Sequence, residues 1–478
     1  MDERTILVWF RNDLRIHDNE ILLEATRKAN KILPVFCFDP FYFQTTGFGT
    51  RKTGPLRARF LIESVADLRQ SLKKLGGDLI IRIGHPADII PELAFKYGVS
   101  EVYHHREVAA EETRISAEVE AALWKLKLNL KHFIGHTLYH KEDLPFPIKD
   151  IPDVFNTFRK KVERDSAIRN CFDSPDKIST PLIDDAGMLP CLNDLGLESL
   201  DTHEDGYFKG GEISGLAQME SYFKGADDIS ASGSCRVSGS SSALSPWISM
   251  GCLSPRQIYW EIKKEQVNKA MADKGAKLIL ELLWRDYFRF MFKKHGNQYF
   301  QVQGFNNVAP PVAENEVQRY EHWKNGQTGV PFVDASMKEL NATGFISVTS
   351  RKSVASYLVK DLQVNWLRGA AYFEEQLVDY APASNWGNWA NVAGVGNDPR
   401  EDKYYNAIKQ GIGYDAKGDY IKKWLPALAE VPAKMVHAPF LLPLQDQKQC
   451  HVIIGEQYPI PEVIPQQKLA SSKASLTS

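Results

Sequence analysis

Thr5-Ile6-Leu7-Val8-Trp9-Phe10-Arg11-Asn12-Asp13-Leu14-Arg15 decides the class of the first part of the chain. Six β-branched or apolar residues without polar alternation read as a strand buried on both faces, the habit of parallel sheets. The turn that follows is Arg11 to Arg15 and contains no glycine, so it is not a G-x-G-x-x-G loop. A dinucleotide held in the Rossmann manner is therefore not expected. Three further runs, at residues 32–38, 79–83 and 101–104, alternate with amphipathic helical patterns at 58–75, 87–97 and 109–126. That alternation predicts βαβ units around a parallel sheet.

His104-His105-Arg106-Glu107 closes the fourth of these runs. Open parallel sheets bind ligands beyond the carboxyl ends of their strands, which makes the segment a candidate site. Adjacent strand residues face opposite ways, so the two histidines are not expected to share a metal, and an ordinary polar loop is the simpler expectation.

Outward from there the periodicity fades, and residues 141–212 read as a long linker rich in turn residues such as Pro145-Phe146-Pro147 and Gly210-Gly211. Beyond Pro246 the chain becomes helix after helix, with eight of its ten tryptophans between Trp247 and Trp424. Helices are expected at 255–265, 276–295, 333–343, 350–363 and 369–379. Aromatic crowding of this kind is usually core, although it also lines pockets for large planar cofactors. The resulting division is 1–140 for the α/β domain, 141–212 for the linker, 213–440 for the helical domain and 441–478 for a tail expected to be partly disordered.

With 478 residues and a formal net charge of -2, the chain is long enough for two or three domains and is no overall polycation. Its six cysteines are scattered, without a CxxC or a Cys/His pair at zinc spacing. This predicts a reducing compartment and no metal site. No apolar window spans a bilayer and no signal pattern opens the chain, so no membrane contact and a cytoplasmic location are expected, with nuclear or organellar locations left open.

Three constellations carry chemistry. In Glu281-Leu282-Leu283-Trp284-Arg285-Asp286-Tyr287, Glu281, Trp284 and Arg285 fall at i, i+3 and i+4, so a helix puts a carboxylate, an indole and a guanidinium on one face. Ser240-Ser241-Ser242-Ala243-Leu244-Ser245-Pro246 leads into a helix, whose free N–H groups and hydroxyls suit a diphosphate or merely an N-cap. Asn385-Trp386-Gly387-Asn388-Trp389-Ala390-Asn391 has a density of Trp, Asn and Gly that helix periodicity does not explain, and it suggests amides and backbone close to a ligand. Upstream, Arg351 and Asp379 supply a candidate ion pair.

These motifs, together with Val8 to Arg15 and Thr328-Gly329-Val330-Pro331-Phe332-Val333-Asp334-Ala335, resemble the photolyase/cryptochrome family. His105-Arg106-Glu107-Val108, Thr137-Leu138-Tyr139-His140 and the run from Val392 to Arg400 are similar to its DASH cryptochrome branch. The resemblance implies an α/β antenna domain and an all-helical domain holding FAD. Its carried-over roles give Ser241, Ser242, Leu244 and Ser245 to the FAD diphosphate, and Glu281, Trp284 and Arg285 to the cavity wall. Arg351 and Asp379 belong beside the isoalloxazine and Asn385 facing its N5. Glu107 is the position that touches a methenyltetrahydrofolate antenna, and Trp389 and Trp366 are the inner members of an electron-transfer chain. The implied function is blue-light photoreception, light-driven repair of cyclobutane pyrimidine dimers, or both, with Glu281 and Trp284 also contacting the lesion in repair. Single-stranded or looped DNA is the implied partner and a monomer the implied state.

The departures are equally legible. Residues 229–234, from Ile229 to Ser234, replace a flavin-side motif of the DASH branch. Val348 stands for an Asn, Ala381 for an acidic residue, Ala313 for the outermost chain Trp, and Asn391 for an aromatic that stacks on the lesion. Repair and tight FAD binding are both weakened by such losses, at about 1 kcal/mol per hydrogen bond. The competing reading is a cofactor-poor relative that binds nucleic acid or protein without photochemistry.

Overall fold

The computed structural model describes residues 4–199, 208–224, 242–265, 269–398 and 404–465. Ser241 and the 229–234 segment lie outside them. The chain divides into two compact units, one of residues 1–299 with 374–385 and the other of 300–373 with 386–478.

The first unit opens with the strands β1 (Thr5–Phe10), β2 (Lys31–Phe38), β3 (Ile80–Ile83), β4 (Val99–His105) and β5 (Leu130–Phe133). They form one parallel sheet in the order β3-β2-β1-β4-β5. Central β1 is buried along its whole length, which is why its sequence shows no alternation. Helices α1 (Glu20–Lys28), α2 (Pro55–Lys74), α3 (Pro86–Lys96) and α4 (Ala110–Lys125) make the crossovers. The periodicity pattern misses α1 and β5, both of them short. The order reverses between β1 and β4, so the ends of those two strands flank the point where sheets of this kind take their ligands.

The linker is not bare: it carries α5 (Phe155–Asp165), whose Phe155, Phe158 and Val162 are buried at i, i+3 and i+7. Only three of its eleven residues are buried, so its apolar stripe is easily lost among charges. Then follow α6 (Glu212–Lys224), α7 (Ser245–Ser249), α8 (Pro255–Glu265) and α9 (Lys269–His295). Asp18 is the buried hub here: Arg256 donates to both its oxygens, at 2.6 and 3.0 Å. Charge pairs this deep survive only when both partners are satisfied.

The second unit holds α10 (Glu316–Lys324), α11 (Pro331–Thr343), α12 (Val348–Ser356) and α15 (Ala407–Tyr414) to α17 (Leu444–Gln449), with α16 at Asp419–Trp424. Two helices, α13 (Trp366–Gln376) and α14 (Pro382–Ala393), contribute residues to both units. Its core gathers Phe332, Ile421, Leu428, Val431 and Val436. Where an unbroken helix was expected over 350–363, α12 gives way to a π turn at Tyr357–Asp361. The Thr328 to Ala335 motif is structural: Asp334 accepts from the Thr328 and Gly329 N–H groups at 2.7 and 3.0 Å, from the Thr328 hydroxyl at 2.6 Å and from Tyr458 at 2.5 Å. A buried carboxylate thereby fixes the start of α11.

Candidate cofactor sites

In the first unit the ends of β1 and β4 meet as the topology requires. His104 and His105 are both fully buried, so the segment is no surface loop. They do face opposite ways: His104 stacks on Trp9 at 5.1 Å and bonds His132 at 2.7 Å, while His105 Nδ1 bonds Asp13 at 2.8 Å. Glu107 is buried with them and receives Asn12 Nδ2 at 3.1 Å and Arg289 Nη2 at 2.9 Å, with His136 Nε2 3.4 Å away. Burial opposes its charge, but His136, Arg289 and Arg11 outweigh that and hold its carboxyl well below the usual range. Sequence reasoning missed Arg289, for which the only signal was its i+4 spacing from Arg285.

Glu107 also lines a small cleft together with Arg106, His136, Lys141, Arg289 and Lys293. Burial, then the charges of Lys141 and Arg106, pull Lys293 below the ordinary lysine range. Crowded cations gain from an anionic occupant, and a buried carboxylate suits a polar aromatic ring that offers N–H donors.

Along α9, Glu281, Trp284 and Arg285 keep their helical spacing but reach different neighbours. Glu281 is open to solvent at its edge, yet enough protein surrounds it that desolvation raises its pKa. Trp284 lies face to face with Phe155 of α5, centroids 3.6 Å apart and planes at 11°. Arg285 turns the other way and donates to the carbonyl of His136. Burial brings its pKa down to about 10. Between them Asp286 accepts from the N–H groups of Leu138 and Tyr139 at 3.1 and 2.9 Å, which gives the Thr137 to His140 motif its purpose.

The serine turn sits in the same unit. Ser242 and Leu244 are buried, and Ala243 adopts φ 51°, a left-handed conformation that costs a non-glycine residue about 1–2 kcal/mol. Ser245 Oγ donates to Asp379 Oδ2 at 2.6 Å across 134 positions of sequence. Buried Asn385 follows in the first turns of α14, so the Asn385 to Asn391 segment is helical after all. Its odd composition therefore decorates a helix and does not break one. Gln218 of α6 donates to the Ser242 carbonyl at 3.4 Å, and its own buried Oε1 has no hydrogen bond among the described residues. The hydroxyls and the strained turn fit a bound diphosphate, and the orphaned Gln218 acceptor fits a donor such as a hydroxyl or N–H elsewhere on such a cofactor.

In the second unit, Arg351 of α12 donates Nε to the Ile346 carbonyl at 2.9 Å and lies 5.1 Å over Phe345. Val348 is exposed at the start of that helix. Trp389 meets the rings of Trp323 and Phe373 at 6.2 and 5.1 Å, whereas Trp366 meets Trp386 at 6.1 Å. Asn391 keeps its Oδ1 without a hydrogen bond, and Ala313 bonds the Gln363 carbonyl through its N–H at 2.8 Å. Among the described residues no group of three His, Cys, Asp or Glu side chains forms a metal cage. None of their helices is long and apolar enough to cross a membrane.

Comparison with known proteins decides the family. Residues 6–178 match the family described as DNA photolyase, and residues 278–477 match the FAD binding domain of DNA photolyase. Cryptochrome DASH of Gloeobacter violaceus is 45% identical over 99% of this chain and 96% of its own.

The chain belongs to the DNA photolyase and cryptochrome family.

Within it, the chain is a blue-light flavoprotein of the cryptochrome DASH type, with FAD as its cofactor. Cryptochrome DASH of Danio rerio is 41% identical over 96% of this chain and 90% of its own. The crystal structure of the Synechocystis cryptochrome superposes with a TM-score of 0.90 at 42% identity, covering 97% of each chain. A class III photolyase from Agrobacterium tumefaciens follows at 0.82 and 25% identity, with 97% of this chain and 95% of that one covered. The FAD-binding match favours a flavoprotein over the cofactor-poor reading. The α/β antenna part and the helical FAD part are the architecture expected of the family.

Proposed function

We propose that this DASH-type protein performs light-driven electron transfer from FAD to cyclobutane pyrimidine dimers in single-stranded or looped DNA, as a monomer in the cytoplasm. The observation that carries the assignment of the cofactor's place is the Ser245–Asp379 hydrogen bond, which ties the serine turn to the segment leading into Asn385. Ser241, Ser242, Leu244 and Ser245 hold the diphosphate. Asp379 and Asn385 orient the ring system, and Arg285, which turns to the His136 carbonyl, props α9 behind the cavity wall. When bound, FAD supplies the light absorption and the one-electron chemistry. The rest falls to the chain's own residues.

Trp284, held flat by Phe155, offers its remaining face to a flipped base, a contact worth roughly 1–3 kcal/mol. Glu281, whose charged form desolvation disfavours, offers its carboxyl at the same rim. Trp389 returns electrons to the cofactor, and Trp366 is the second member of the chain that the family resemblance implies. Glu107 and its cationic cleft would take methenyltetrahydrofolate as antenna, with Glu107, Lys141 and Lys293 as the residues that would hold it. Residues 1–140 are then the antenna domain, 141–212 the linker, 213–440 the FAD domain and 441–478 the tail.

An absorption spectrum of the purified chain, followed by blue-light repair of a thymine dimer in single-stranded and duplex oligonucleotides, tests this. Flavin bands and repair confined to the single strand are the expected result. A loaded flavin that repairs neither substrate leaves photoreception as the function and refutes repair.

A further inference from the structure

The ring contacts of Trp389 lead away from Trp366. Its indole, on α14, meets Trp323 of α10 edge-on at 6.2 Å, and Phe373 of α13 bridges the two, 5.1 Å from Trp389 and stacked on Trp323 at 6.2 Å with planes at 19°. Trp323 in turn contacts Tyr372 at 5.9 Å and Tyr320 at 6.2 Å. These rings belong to one packed unit, and electron tunnelling falls steeply with each ångström of gap, so contiguous π systems set the route. Trp323 is fully buried and its N–H is committed to the Val354 carbonyl at 2.9 Å, so a cation there has no exit for its proton. Tyr372 does have one: its hydroxyl donates at 2.6 Å to the amide oxygen of Asn341, which is exposed to solvent. Position 313, by contrast, carries an alanine and offers no ring beyond Trp366.

We infer that the electron hole created on Trp389 leaves through Trp323 to Tyr372, making Trp323 a redox-active residue and Tyr372 the terminal donor of this chain. The inference rests on Trp389 being the immediate donor to photoexcited oxidised FAD. The balance is one electron at each step. Trp389 would give it up to bound flavin, Trp323 refills Trp389, and Tyr372 refills Trp323 while its phenolic proton passes to water at the Asn341 edge. A soluble thiol then returns one electron and one proton to Tyr372 and leaves as a thiyl radical, and two such radicals from two turnovers couple to a disulfide. Tyr320 is a side branch, held under Arg368 and Lys324, whose positive charges 5.8 Å away disfavour a cation.

The test is flash photolysis with transient EPR on the full-length FAD-loaded protein and its Trp389→Phe, Trp323→Phe, Trp366→Phe and Tyr372→Phe variants. Trp323→Phe is expected to shorten the radical-pair lifetime and slow thiol-dependent photoreduction roughly tenfold, a deeper loss than Trp366→Phe gives. Tyr372→Phe is expected to abolish a tyrosyl signal and leave a tryptophan radical. FAD content and melting temperature check each variant's fold; if Trp323→Phe does not retain flavin, the tyrosyl signal and its loss in Tyr372→Phe decide. A long-lived radical in Trp323→Phe that disappears in Trp366→Phe overturns the inference, as does the absence of any tyrosyl signal in the parent. Photoreduction that survives Trp389→Phe refutes the underlying donor assignment instead, so the two failures are distinguishable.

Discussion

Glu107 shows how much a single residue carries. Its carboxylate is surrounded by Asn12, His136 and Arg289 in a dry site, and removing one member of such a cluster strands the others. Glu107→Gln is expected to cost about 3 kcal/mol, because Arg289 is left buried without its counter-ion. Chemical denaturation measures that loss, and antenna absorption should vanish with it. Phe155 is the corresponding residue on the lesion side. Phe155→Leu keeps most of the volume but removes the flat face behind Trp284. A stability loss of about 1 kcal/mol is expected. If Trp284 is the platform proposed above, dimer affinity falls severalfold more than in a Trp284-distant control of equal stability loss.

Among elements, α11 and α13 invite direct tests. Glu339 on α11 accepts from the Tyr420 hydroxyl at 2.7 Å, and burial pushes its pKa up to about 7 against the opposing charges of Lys423 and Arg351. Between pH 4.5, the ordinary glutamate value, and about 7, the folded chain holds a proton that the unfolded chain has released. This contribution to stability therefore falls as pH rises through that window. Glu339→Gln is expected to remove the slope, and at pH 8 the variant should melt higher than the parent by roughly 1–3 kcal/mol of stability. A parallel pH profile in both proteins would contradict it. On α13, a Cβ at Gly369 would overlap the Trp389 indole and Leu358. Gly369→Ala should thus cost about 1–3 kcal/mol and shift the radical kinetics of Trp389.

The elements also show where sequence periodicity works. Strands β1 to β4 were legible as runs of apolar and β-branched residues, and helices α2 to α4 because long runs keep a period of 3.6. β5, with Lys131 and His132 at its centre, and the short α1 were not, nor was α5, whose apolar stripe is interrupted by charged residues. The Asn385 to Asn391 motif looked irregular because its Trp, Asn and Gly residues obey the needs of neighbours in space; α14 forms anyway, with its backbone bonds satisfied along the helix.

For the whole molecule, cofactor and stability are linked. FAD that binds only the folded chain should raise stability by about 2.7 kcal/mol at a hundredfold excess over Kd. Stripping the flavin should lower the melting temperature, and adding it back should restore it. With a net charge of -2, DNA affinity has to come from a local basic patch. Binding to single strands should consequently weaken steeply between 50 and 200 mM salt, with a slope that counts the phosphate contacts.

The sequence by itself determined the parallel sheet, the long aromatic helices and the family, because hydrophobic period and motif order are properties of neighbours along the chain. It also located the residues of the cofactor site one by one. Only the tertiary structure decided which of them meet. Ser245 reaches Asp379, Arg289 reaches Glu107, Phe155 backs Trp284, and Trp389 touches Trp323 and not the more obvious Trp366. Each of these pairs joins distant parts of the sequence through packing, and no local period encodes a contact whose partner lies tens to hundreds of residues away.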